Sequence, residues 1–151
     1  MLYIASDHGG FTLKEEIKNF LTKRNIPFSD LGPASLDPND DYPTFAALVA
    51  KKISANPTED VGILLCRSGQ GVNIVANKFK GVRAALVWNT KEAIASRHDD
   101  FSNIVSLPTD HIGADVAENI IEAWLTTPWG NEERHIRRIK EIADLEETLY
   151  P

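Results

Sequence analysis

The sequence contains a single cysteine, Cys66, among its 151 residues. One cysteine excludes an intrachain disulfide, which agrees with a reducing compartment. No apolar run approaches the roughly 20 residues of a membrane-spanning helix. The first residues also lack the basic start, apolar stretch and cleavage site of a secretory signal. We therefore expect a cytoplasmic protein that has no membrane partner.

Positive charge is also scarce. The chain carries 16 lysines and arginines against 22 acids, a net charge of −6. Because affinity for nucleic acid comes largely from cations that neutralise phosphates, we expect no nucleic-acid partner. The basic residues concentrate at positions 134–140, which favours a local anion site there. The length suits one domain, predicted to cover residues 1–151.

Apolar runs and helical periodicity alternate along the chain. Strands are predicted at residues 2–5, 28–31, 61–65, 83–87 and 103–107. Helices are predicted at residues 11–24, 44–54, 71–79, 91–98, 112–125 and 132–148. This order predicts an α/β fold, a three-layer α/β/α sandwich with a doubly wound sheet of five parallel strands.

The stretch VGILLCRSGQGVNIVANK, residues 61–78, predicts a strand, a glycine-punctuated loop and a helix. Gly69 and Gly71 let the backbone turn tightly, and the first N–H groups of the helix favour an anion. A helix N-terminus also lowers the pKa of a neighbouring thiol. Cys66 is therefore a candidate base beside an anion hole. Its burial as a small hydrophobic side chain is the alternative.

Two further motifs are candidates for ligand binding. Asp7 and His8 follow the first predicted strand, and ligands of such folds bind outside the carboxyl ends of the strands. A turn with a capping aspartate is the alternative reading. Arg134 and Arg138 lie one helical turn apart and suit a single phosphate, or they form a solvated basic face. No cysteine and histidine residues show metal-site spacing, so no metal is predicted, and His111 is assigned no role.

Taken together, several motifs resemble those of one enzyme family. They are SDHGG at 6–10, DYP at 41–43, CRSGQG at 66–71 with ANK at 76–78, GVRAA at 81–85 and RHIRR at 134–138. With them the chain resembles the type B ribose-5-phosphate isomerases, also called ribose/galactose sugar-phosphate isomerases, nearly from end to end.

The resemblance implies a Rossmann-like sandwich and a homodimer with sites at the subunit interface, with pairing into tetramers as an alternative. The C-terminal helix, about residues 131–148, is expected to pack at that interface. No metal or organic cofactor is implied. The implied reaction interconverts ribose 5-phosphate and ribulose 5-phosphate through a cis-enediolate. Isomerisation of galactose 6-phosphate or allose 6-phosphate is one alternative, and phosphosugar binding with little turnover is another.

The resemblance also implies roles for individual residues. Cys66 matches the base that moves a proton between carbons 2 and 1, and Ser68 matches a residue that assists at the sugar hydroxyls. The backbone around Gly69, Gln70 and Gly71 matches the site that stabilises the enediolate oxygen. The positions that match sugar contacts are Asp7, Tyr42 and Asn103. The positions that match the phosphate grip are His8, Arg134 and Arg138, with His135 close by.

The chain departs from the family pattern in two places. Arg67 follows the cysteine where the family usually has glycine, which adds a cation that assists the thiolate, contacts substrate or points away. The family pattern Arg-x-His-Asn-x-x-Asn, aligned at residues 97–103, places Asp99 at the ring-opening histidine and Asp100 at the asparagine. That histidine reaches the site from the partner subunit in the family. Asp99 and the adjacent His98 are therefore both candidates for the ring-opening acid/base.

Overall fold

Five parallel strands form the centre of the structure, a computed structural model that describes residues 1–149. The strands are β1 (Leu2–Ser6), β2 (Phe28–Asp30), β3 (Val61–Cys66), β4 (Ala84–Leu86) and β5 (Ile104–Pro108). Their order across the sheet is β2-β1-β3-β5-β4. The central strands are buried on both faces, as their continuous apolar runs predict.

Six helices lie within residues 1–149, and the first five flank the sheet. They are α1 (Phe11–Lys23), α2 (Tyr42–Ala55), α3 (Gln70–Ala76), α4 (Thr90–His98), α5 (Ala114–Thr126) and α6 (Glu133–Leu149). Buried side chains of α1, α4 and α5 form a core with one face of the sheet, and those of α2 and α3 form a second core with the other. The predicted three-layer sandwich is thereby confirmed. Within residues 1–149, no helix has both the length and the apolar character needed to cross a bilayer.

Two strands start later at the amino edge of the sheet than predicted, although only β4 is also shorter than predicted. β4 begins at Ala84 and β5 at Ile104, one residue later than the apolar runs suggested. The reason is a polar junction at this edge, where the Asn103 side chain accepts a hydrogen bond of 2.8 Å from the backbone N–H of Arg83. Arg83 and Asn103 therefore lie just before the two strands, and their hydrogen bond links the strand starts.

A buried ion pair fixes α1 to β2 and to the loop that follows. The Lys14 side chain has no solvent exposure, and its Nζ lies 3.0 and 2.9 Å from the two carboxylate oxygens of Asp30. The same ammonium donates to the Pro33 carbonyl at 2.7 Å. Burial alone would raise the pKa of Asp30, but hydrogen bonds from Lys18 and Lys14 outweigh it and hold that pKa below its usual value.

We expect Asp30→Asn to lower the free energy of unfolding at pH 7 by about 3 kcal/mol, because it leaves the buried Lys14 ammonium with only the exposed Glu15 carboxylate, 3.4 Å away, as its counter-charge. In the wild type, the ion pair contributes fully to stability above about pH 4, the pKa of the carboxyl group in the unfolded chain. This contribution is lost as the pH falls through the lower pKa of Asp30 in the folded protein. Urea unfolding from pH 7 to pH 3 measures both effects. Asp37→Asn, on an exposed aspartate of the next loop, is the control. Equal stability of the two variants at pH 7 would contradict the assignment.

Candidate active site

A polar cleft opens where β1 and β3 end. The register pairs Ser6 with Leu65, and the N–H of Asp7 continues the ladder by donating to the Leu65 carbonyl at 3.3 Å. Asp7 and Cys66 therefore leave the sheet side by side. The cleft has a volume of about 360 Å³. Its lining residues are Asp7, His8, Tyr42, Cys66, Arg67, Ser68 and Gly71.

Cys66 is the last residue of β3, a free thiol that is 5% exposed. Its carbonyl accepts a hydrogen bond of 3.0 Å from the N–H of Thr109, which ties the end of β3 to the end of β5. The thiol therefore has a rigid support and borders the cleft. The sequence left burial and a catalytic role as alternatives, and Cys66 is buried and also lines the cleft.

The loop after Cys66 turns sharply into α3. Gly69 has a φ of 70°, in the left-handed region that favours glycine, and α3 begins at the next residue, Gln70. The Ser68 hydroxyl accepts a hydrogen bond of 3.3 Å from the Gln70 N–H. A Cβ at position 71 would lie 2.8 Å from the Tyr42 ring, so Gly71 allows this ring to close one side of the cleft. Gln70 itself borders a neighbouring cavity of about 370 Å³ that Ser68 and His111 also line.

Asp7 and His8 are held by different partners. One carboxylate oxygen of Asp7 accepts a hydrogen bond of 3.0 Å from the Gly10 N–H, and burial raises the pKa of Asp7. His8 Nδ1 lies 2.8 Å from an Asp40 carboxylate oxygen, which also accepts from the His8 N–H at 2.8 Å. That hydrogen bond raises the pKa of His8 and favours an imidazolium beside the cleft. The sequence analysis missed Asp40, which stands in an acidic loop beside the DYP motif.

Arg67 lies at the mouth of the cleft. Its side chain is 66% exposed and its guanidinium is 3.9 Å from the Asp110 carboxylate. The stem passes over Gly9, where an added Cβ would lie 2.6 Å from the Arg67 Cγ. The structure therefore gives the unusual arginine a defined position, above the cleft and beside the Asp7-His8 loop.

A second cluster joins the end of α4 to the start of α6. The His98 Nδ1 is 2.7 Å from an Asp99 carboxylate oxygen, and the His135 Nδ1 is 3.0 Å from the Asp99 carbonyl. Arg134 donates from Nε to the His135 Nε2 at 3.0 Å. The hydrogen bond from His98 lowers the pKa of Asp99. Arg138 is exposed one turn further along α6, on the same face as Arg134.

The two clusters lie at opposite ends of the sheet. Cys66 pairs with Pro108 at the carboxyl end of β5, whereas α4 and Asp99 precede the start of that strand. Five residues of strand at roughly 3.3 Å each separate the two ends by about 16 Å. That span exceeds the length of an extended pentose phosphate. Within one chain, the structure therefore does not bring Cys66 and Asp99 to the same substrate.

The structure contradicts the expectation that Asn103 contacts the sugar. Asn103 is fully buried at the amino edge of the sheet, and its amide donates to the carbonyls of Pro57 and Gly81 at 3.0 and 2.8 Å. Every polar atom of this side chain already serves the fold. A motif match could not reveal this, because burial at the strand start depends on the partners that tertiary packing supplies.

Asp100 is also apart from the cleft that holds Cys66. It is exposed and lines a different cavity of about 380 Å³, together with Arg83 and Glu146. Arg97, which begins the same motif, donates to the Ser102 carbonyl at 2.6 Å and lies over the Trp124 ring. Burial lowers the pKa of Arg97 to about 10. This arginine therefore packs the fold, whereas His98, Asp99 and Asp100 present polar atoms to solvent.

Comparisons with known proteins identify close relatives. The family model described as Ribose/Galactose Isomerase matches residues 2–142. A ribose-5-phosphate isomerase B of Mycolicibacterium paratuberculosis is 37% identical over 147 residues, 97% of this chain and 92% of that protein. The crystal structure of ribose-5-phosphate isomerase B from Mycoplasma genitalium with bound ribulose 5-phosphate superposes with a TM-score of 0.93. It is 42% identical, and the match covers 97% of this chain and 95% of the other. The enzyme from Clostridium thermocellum superposes with a TM-score of 0.91 at 36% identity, over 98% of both chains.

We expect Asp40→Asn to lower the pKa of His8 toward the ordinary value of about 6.5, because the hydrogen-bonded carboxylate that favours the imidazolium is lost. Titration of the histidine ring protons by NMR measures the shift. Asp41→Asn removes the same charge one residue away and is the matched control. A His8 pKa that responds equally to both variants would show that the hydrogen bond is not the cause.

Proposed function

The chain belongs to the ribose/galactose isomerase family, and on this basis we propose that it interconverts ribose 5-phosphate and ribulose 5-phosphate with Cys66 as the proton-transfer base. The observation that carries the assignment is the match to an enzyme structure that holds ribulose 5-phosphate, at 42% identity over nearly the whole chain. The protein is accordingly an aldose–ketose isomerase. Its one cysteine is a free thiol, as is usual in a reducing compartment, which supports the cytoplasm.

The proposed isomerisation moves one proton between neighbouring carbons. The Cys66 thiolate removes the proton from carbon 2 of the open-chain aldose, which forms a cis-enediolate, and returns it to carbon 1 to give the ketose. The oxygen on carbon 1 gains a proton and the oxygen on carbon 2 loses one. Ser68, which lines the cleft together with Cys66, orients these hydroxyls. The backbone N–H of Gly71, in the first turn of α3, stabilises the negative oxygen, since that of Gln70 donates to the Ser68 hydroxyl.

The remaining groups of the cleft hold the substrate. Asp7 and Tyr42 flank the thiol and suit the sugar hydroxyls, which accept and donate hydrogen bonds. The imidazolium of His8 supplies a positive charge for the phosphate. Arg67 adds a second cation at the mouth of the cleft. Six-carbon sugar phosphates present the same kinds of hydroxyl and phosphate groups to these residues, so they belong in the same assay.

Ring opening requires a second acid/base, and we place it on another chain. His98 and Asp99 share a hydrogen bond of 2.7 Å that can pass a proton, yet they lie at the end of the sheet remote from Cys66. A homodimer with twofold symmetry places this pair from one chain at the cleft of the other, twice per dimer. Arg134 and Arg138 would then grip the phosphate from the partner, opposite His8.

The exposed apolar stripe of α6 supports this dimer. Ile142, Leu145 and Leu149 are all exposed, and they recur at helical spacing along one side of α6. Such a stripe is costly in water and suits burial against another chain. The stripe follows Arg134 and His135 along α6. An interface along this helix would therefore bring the second cluster of one chain close to the other chain. This is the subunit interface that we propose for the C-terminal helix.

We expect Cys66→Ser to lower kcat for ribose 5-phosphate by about 100-fold or more, because a serine hydroxyl keeps the shape of the side chain but is a poor base. KM changes little if the cysteine acts on the proton alone. An assay of ribulose 5-phosphate formation measures both constants, with six-carbon phosphates run alongside. Ser35→Ala, a substitution in an exposed loop, is the control for losses of activity during preparation of a variant. A kcat near the wild-type value in Cys66→Ser would contradict the assignment of the base.

We expect a mixture of inactive Cys66→Ala and Arg134→Ala chains to recover about a quarter of wild-type activity after subunit exchange. Half of the dimers are then mixed, and one of the two sites in each mixed dimer has both residues intact. Activity of the 1:1 mixture after brief mild denaturation and refolding measures the recovery. A mixture of Cys66→Ala with Cys66→Ser is the control and stays inactive. No recovery in the first mixture would show that both residues serve a site from one chain.

A further inference from the structure

His98, Asp99 and His135 offer three potential metal-ligand atoms that all lie within 4.8 Å of one another. His98 ends α4 and Asp99 follows it, whereas His135 lies in the first turn of α6. The sequence analysis predicted no metal because it looked for ligands at short spacing. Folding joins residues that stand 36 positions apart in the chain.

His135 is oriented as metal-binding histidines are. The Asp99 carbonyl can only accept a hydrogen bond, so the His135 Nδ1 carries the proton and Nε2 presents its lone pair to the cluster. Metal-bound histidines usually hold their second N–H on a carbonyl or carboxylate in this way. The His135 residue is 3% exposed, which fixes its ring. If His98 ligates through Nδ1, its proton moves to Nε2, which faces a Glu132 carboxylate oxygen at 4.0 Å.

Two of the three distances between ligand atoms are within about 0.6 Å of those of a tetrahedral site, and all three are within 4.8 Å. Metal bonds of about 2.0 to 2.1 Å place neighbouring ligand atoms roughly 3.3 Å apart. The His98 Nδ1 is 2.7 Å and the His135 Nε2 is 3.9 Å from the same Asp99 carboxylate oxygen. Each must change by about 0.6 Å to reach the tetrahedral spacing. The side chains of His98 and Asp99 are 36% and 48% exposed, so they have room to move while His135 stays in place.

We propose that His98, Asp99 and His135 bind a divalent transition-metal ion such as Zn²⁺, with three protein ligands and an open fourth position. Two imidazole nitrogens and a carboxylate oxygen suit Zn²⁺, Co²⁺ and Ni²⁺ better than they suit Mg²⁺ or Ca²⁺. A bound ion occupies the groups that pass a proton during ring opening. It therefore inhibits the isomerase, and this consequence rests on the proposed function.

Arg134 competes with the metal for one ligand. Its Nε donates to the His135 Nε2 at 3.0 Å, so the guanidinium must leave before that nitrogen binds an ion. The Arg134 side chain is exposed and can turn into solvent. Its positive charge also opposes a cation in the cluster. Removal of Arg134 should therefore strengthen metal binding, although the same change weakens the proposed phosphate grip.

Titration of the tag-free, chelator-treated chain with Co²⁺, followed by visible absorption, tests the site. We expect one Co²⁺ per wild-type chain, with an affinity at least about tenfold weaker in His98→Gln and several-fold tighter in Arg134→Ala. His111→Gln and Cys66→Ala are the controls and should bind as wild type does. His98→Gln carries the test because its side chain is partly exposed, whereas His135→Gln alters a buried position.

Equal Co²⁺ affinity in wild type and His98→Gln would overturn the site. Loss of binding in Cys66→Ala, or a strong thiolate-to-cobalt band in the near ultraviolet, would overturn it as well, since the thiol would then be the ligand. Turnover gives a separate readout, in which Zn²⁺ should stop the reaction and a chelator should restore it. If Co²⁺ binds as expected but Zn²⁺ leaves turnover unchanged, the inhibitory consequence fails. A metal-free wild type without isomerase activity would count against the proposed function alone.

Discussion

The pairing of β1 with β3 is the constraint on which the cleft depends. Their register sets Ser6 beside Leu65, and the hydrogen bond from the Asp7 N–H to the Leu65 carbonyl keeps the two chain segments together just past the strands. From this point the chain departs in two directions, because α1 packs on one face of the sheet and α3 on the other. The separation opens a crevice between two loops that cannot move apart. Cys66 therefore borders a cleft although its residue is almost fully buried.

The polarity of the parallel sheet keeps the second cluster away from the cleft. A crossover helix returns the chain from the carboxyl edge of a parallel sheet to its amino edge, so α4 must end far from the cleft. His98 and Asp99 mark that end, and the stacking of Phe101 on Trp129 at 5.1 Å packs together the connections that lead from α4 and into α6. The same connection donates from the Gly130 N–H to the His98 carbonyl at 2.8 Å. The position of the second cluster is thus a property of the topology, which no rotamer change can reverse.

The sequence was informative wherever one physical pattern dominated a segment. Continuous apolar runs predicted the buried strands, and a cysteine followed by closely spaced glycines predicted the turn at Gly69. Short polar motifs were less informative, because a match does not say whether a side chain is buried. Asn103 and Arg97 belong to one such motif, and both proved to support packing. Asp40 was missed because its partner, His8, stands 32 positions earlier in the chain. The contact between His135 and Asp99 was missed for the same reason, since it forms only when α6 folds back on α4.

The separation of about 16 Å between the two clusters along the strands has a consequence for the behaviour of the enzyme in dilute solution. In the proposed dimer, the second copy of the chain supplies the ring-opening pair and part of the phosphate grip of each cleft. A dissociated monomer, however well folded, would hold two half-sites that face away from each other. Specific activity would then depend on the total concentration of the chain, with the dimer dissociation constant as its midpoint. The expression level of the chain would then set the fraction of active dimer as well as the amount of protein.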